Sequence, residues 1–104
     1  MLHIKNIDVE EGIYITVKFN KSVLRLLLMC SAIYITYGEE SIYETKALIR
    51  DITSLFKDNT DTILNETKLK VIYQWLSISY EFITQEDKNE AEEIKTQLFN
   101  ILYK

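Results

Sequence analysis

Apolar and polar residues alternate near the start of the chain. Ile13, Ile15, Val17 and Phe19 are interleaved with Tyr14, Thr16 and Lys18. That period of two is the mark of a strand with one buried face. Residues 2–9, LHIKNIDV, alternate less cleanly, because Asn6 and Ile7 shift the pattern by one. A β-bulge accounts for such a slip. Glu10-Glu11-Gly12 separates the two runs, and glycine tolerates the positive φ of a tight turn. The pattern predicts a β-hairpin over 2–19. Two strands alone are marginal in water, so their apolar face is expected to pack on helices.

The period changes after Phe19. The segment SVLRLLLMCSAIYITY runs from Ser22 to Tyr37 and ends at Gly38. Asn20 or Ser22 can cap a helix there. The tetrapeptide IYIT occurs at 13–16 and again at 33–36. The first copy reads as strand and the second as the last turn of a helix over 21–37. A helix ending at Ala32 with a short strand after it is the alternative, since Ile, Tyr and Thr favour strands. A second helix is expected over 41–57, opened by a Ser41–Glu44 capping box and striped by Leu48, Ile52 and Leu55. A third, long helix is expected over 61–83, capped by Thr60 or Asp61 and apolar on more than one face. Thr84 to Asp87 gives a weaker capping signal for a last helix over 86–103, amphipathic through Ala91, Ile94, Leu98, Ile101 and Leu102. The expected fold is α+β and mostly helical: one domain over 1–104, with the hairpin packed on an antiparallel bundle of about four helices.

Composition supports this reading. The chain has 104 residues, no Pro and only two Gly, with 47% hydrophobic and 27% charged residues. These values suit a folded, helix-rich chain. The run Leu26–Tyr37 lacks charge, but a membrane-spanning helix needs about 20 apolar residues. Arg25 lies on one side of the run and Glu39 and Glu40 on the other, so a buried central helix is expected and no membrane role. One cysteine, Cys30, allows no internal disulfide and no paired-Cys zinc site, which points to a reducing cytoplasm. The formal net charge of −4 disfavours phosphate-driven binding of nucleic acid. Ile, Lys, Asn, Tyr and Phe are abundant, and their AT-rich codons suggest a low-GC bacterium or its phages and plasmids.

Candidate chemistry is sparse. His3 is the sole histidine and reads as a surface residue on the first strand. Cys30 lies in an apolar run, where a thiol is inert. Neither glycine belongs to a phosphate-binding loop. The adjacent carboxylate pairs Glu10/Glu11, Glu39/Glu40 and Glu92/Glu93 diverge by about 100° on a helix and make poor acid–base dyads. No cofactor or metal is implied. Two features remain. Residues 81–93, EFITQEDKNEAEE, carry six acids and one Lys. Aromatic side chains are spread over every element, with Tyr73, Trp75 and Tyr80 on the third predicted helix.

The expectation is therefore a small acidic, non-catalytic protein-binding module. It resembles no family; an inhibitor or immunity-type protein encoded by a phage or mobile element is one form this takes. Its expected contact residues are Glu86, Asp87, Glu90 and Glu93, facing a basic surface on a partner, with Tyr73, Trp75 and Tyr80 as aromatic anchors. The alternative is a homodimer that buries the third helix. A remote third reading is an enzyme using Cys30 or a carboxylate pair.

Overall fold

The structure, a computed structural model, describes residues 1–38 and 42–103. The fold is α+β and mostly helical, as the pattern predicts. Its elements are β1 (His3–Asp8), β2 (Tyr14–Lys18), α1 (Lys21–Tyr37), α2 (Ile42–Ser54), β3 (Thr62–Asn65), α3 (Glu66–Ser79), a 3₁₀ turn (Tyr80–Phe82) and α4 (Gln85–Leu102).

β1 and β2 form the expected antiparallel hairpin, and the register slips between Ile4 and Asn6. Lys5 is the extra residue of this bulge, and its Nζ reaches the Asp61 carboxylate at 3.0 Å. Gly12 has φ 134° in the connecting turn, a conformation a side chain strongly disfavours. Ile15 and Val17 are fully buried and Phe19 nearly so, while Tyr14 and Lys18 face solvent.

The sheet departs from the sequence reading at one point. Residues 62–65 were expected in a long helix over 61–83; they form β3 instead. It pairs antiparallel with β2, placing Ile15 opposite Leu64 and Thr16 opposite Ile63. The physical reason is the free edge of β2, whose unpaired N–H and C=O groups need a partner. A four-residue strand gains pairing there and drops Leu64 into the core, 1% exposed. Asn65, not Thr60 or Asp61, then caps α3, its Oδ1 accepting the Lys68 N–H at 2.9 Å. The far end is also shorter than expected: α3 stops at Ser79, and residues 80–82 tighten into the 3₁₀ turn. The Ser79 hydroxyl donates to the Trp75 carbonyl at 2.6 Å, a local bond that competes with continuation of the helix.

The second IYIT is helical. Its β-branched Thr36 bonds back to the Ala32 carbonyl at 3.2 Å. Asn20 caps α1, accepting the Val23 N–H at 2.8 Å. At the other end the Gly38 N–H donates to the Tyr34 carbonyl. Gly38 is required by proximity: a Cβ there would lie 2.7 Å from both the Tyr34 ring and its carbonyl oxygen. The Ser41 half of the predicted capping box lies outside the described residues; the stripe of Leu48, Ile52 and Leu55 is buried as expected. Thr84 caps α4, its hydroxyl accepting the Asp87 N–H at 3.2 Å.

α3 is the central helix and packs against α1, α2, α4 and β3. One continuous core joins the inner face of the sheet to all four helices. Trp75 sits within it at 0% exposure, with its indole Nε1–H donating to the Thr45 hydroxyl at 3.0 Å. On α4, the Gln97 carboxamide holds Leu2 twice, accepting its N–H at 2.7 Å and donating to its carbonyl at 3.0 Å.

Candidate functional site

α4 has two different flanks. Its buried stripe is Ala91, Ile94 and Leu98. Glu86, Glu90 and Glu93 follow the i, i+4, i+7 spacing that places side chains on one face of a helix, and that face lies to one side of the stripe. Together with Asp87 they line a cleft of about 280 Å³ against Ser22 and Leu26 of α1. The structure thus brings the four predicted acids together. It also places a cation among them: the Met1 ammonium pairs with Glu90, and lies 3.8 Å from Glu93. Partial burial pulls that ammonium below the ordinary α-amino range, and the Glu93 carboxylate opposes the shift. Three acids in the first turns also favour the helix through its dipole.

The other flank is basic and aromatic. Lys95 lies 5.6 Å from the Tyr73 ring centroid and 5.4 Å from that of Tyr80, and Lys88 lies 5.3 Å from Tyr80. Tyr73 and Tyr80 are half-buried beneath these lysines. The acids and the tyrosines therefore belong to different surfaces. Trp75, expected as an aromatic anchor, is corrected outright: it is sealed in the core and reaches no partner. A central helix needs its largest side chain inward, where burial stabilises by several times what an exposed ring gains.

Aromatic residues that the spacing did not single out are exposed instead. Tyr37, at the end of α1, stacks on Phe82 with ring centroids 4.6 Å apart and an interplanar angle of 5°. These rings remain 59% and 54% exposed. Beside them a groove of about 500 Å³ runs between the end of α1 and the outer side of α3, lined by Tyr34, Tyr37, Tyr73, Gln74, Ser77 and Ile78 with Gly38. At its far end Tyr73 meets Tyr103 edge-on, and Phe99 packs against Tyr103. Tyr37 and Phe82 are far apart in the chain, so no local pattern could pair them. The helix break at Tyr80, which turns Phe82 toward α1, was the missing signal.

The remaining candidates stay apart. His3 is exposed on β1, and Cys30 is fully buried. Burial pushes the Cys30 thiol upward, against a smaller opposite effect of its hydrogen bond with Ser79. Among the described residues no group of three or more His, Cys, Asp or Glu is placed to hold a metal ion. No helix among them is long and apolar enough to cross a membrane. No protein-family model, curated protein or solved structure matches the chain.

Proposed function

We propose that this chain is a small non-catalytic protein-binding module that occupies a basic surface of a partner protein with the acidic flank of α4. The observation that supports this reading is the convergence of Glu86, Asp87, Glu90 and Glu93 on one cleft. A surface of one charge sign steers an oppositely charged partner and fixes its register. A phage- or mobile-element-encoded inhibitor or immunity-type protein is the specific form we favour, in keeping with the AT-rich coding bias and the net charge of −4. A cytoplasmic setting accords with the lone buried thiol.

The test is a capture experiment from lysate of a low-GC bacterium, using tagged protein beside a variant in which Glu86, Asp87, Glu90 and Glu93 are all changed to Lys. A stoichiometric partner should be retained by the parent, lost by the variant and released from the parent by salt. Circular dichroism should show the variant still folded, because Glu86 and Glu93 are exposed and Asp87 and Glu90 only half-buried. Capture that survives the four reversals would refute acidic docking.

A further inference from the structure

The outer face of α3 carries a pattern that the acidic flank does not use. Lys70, Gln74, Ser77, Ile78 and Glu81 follow the spacing i, i+4, i+7, i+8, i+11. The first four form a single stripe on α3, directed away from the buried Leu69, Ile72, Trp75 and Leu76, and Glu81 follows them in the 3₁₀ turn. Its middle is uncharged and lines the 500 Å³ groove together with Tyr73. Its ends are charged and of opposite sign. Lys70 stands at one end, 3.3 Å from Glu66 on its own helix; Glu81 stands exposed at the other.

We infer that this face binds a second copy of the chain, with the two α3 helices antiparallel across a two-fold axis. In that arrangement facing residue numbers have a constant sum. Setting Lys70 opposite Glu81 of the other copy sets Tyr73 opposite Ile78 and Gln74 opposite Ser77. One register therefore satisfies charge, apolar and hydrogen-bonding pairs together, and the two-fold axis makes each pair twice. Ile78, 41% exposed in one copy, enters the groove beside Tyr73 of the other. Joining Lys70 to Glu81 extends the existing Glu66–Lys70 pair into a three-membered network. A parallel arrangement would set Lys70 against Lys70 and Glu81 against Glu81. The inference is independent of the acidic-docking proposal, because the acidic flank lies on α4 and not on the groove.

The test is charge reversal and its rescue, read by sedimentation velocity and light scattering over a wide concentration range. The full chain should show a monomer–dimer equilibrium. K70E and E81K should each weaken the dimer about tenfold, since each replaces two attractive contacts by two repulsive ones. The K70E/E81K double variant should return the dissociation constant to within about threefold of the parent. Ile78→Glu, placed in the uncharged middle, should leave only monomer. All three positions are exposed, and circular dichroism of each variant confirms folding. A parent that stays monomeric throughout, as when the face serves a different protein, overturns the inference. So does a dimer that the single reversals leave unchanged, or one that the double variant fails to restore.

Discussion

Thr45→Val tests how the core is held together. Thr45 and Trp75 are both 0% exposed, and the Thr45 hydroxyl is the acceptor for the indole N–H at 3.0 Å. Valine keeps the shape and the β-branching of threonine and removes only the oxygen. The orphaned indole donor then costs about 1–3 kcal/mol. The buried methyl that replaces the hydroxyl returns up to about 0.8 kcal/mol. The net loss is about 1–2 kcal/mol, at roughly 4–8 °C of melting temperature per kcal/mol for a chain near this size. Urea unfolding followed by far-ultraviolet circular dichroism measures it. The decisive arm is the same change in a Trp75→Phe background, where no indole donor remains and Thr45→Val should cost close to nothing. A Thr45→Val protein as stable as the parent, or an equal loss in both backgrounds, would refute the claim that this bond satisfies the buried indole.

Two further outcomes follow from close packing and from burial. Gly38→Ala places a methyl 2.7 Å from the Tyr34 ring and carbonyl, so the ring must move and the chain should lose about 1–3 kcal/mol; a thermal melt with near-ultraviolet circular dichroism would show both effects, and an unchanged spectrum and midpoint would contradict the geometry. Cys30 has its folded pKa raised from an ordinary 9.0, so the unfolded chain ionises first and stability should fall as pH rises through that value. Cys30→Ala should lose that share of the alkaline slope, and a thiol reagent should label the parent only as fast as it opens; rapid native labelling would show that the thiol is accessible.

Most of the fold was legible because it rests on local signals. The hairpin declared itself through alternation and Gly12, α1 through Asn20 and its apolar run, and α4 through Thr84 and a clean stripe. Residues 62–83 were not, since apolar side chains on several faces fit a central helix and a strand-plus-helix equally well. Only the unpaired edge of β2, a tertiary fact, decides for β3. The acidic flank was legible because Glu86, Asp87, Glu90 and Glu93 fall in one acid-rich run that opens α4. Trp75 misled because aromatic content says nothing of direction. Tyr37 and Phe82 escaped because their stacking depends on where two distant segments end.

The Gln97 carboxamide has a kinetic meaning beyond its two bonds. It joins residues 95 apart in the chain, whereas β1 and β2 meet across a short turn. Loop-closure entropy makes the distant contact harder to form than the hairpin by about 2–3 kcal/mol. The hairpin can therefore assemble early, while its attachment to α4 waits until the helices between them are in place.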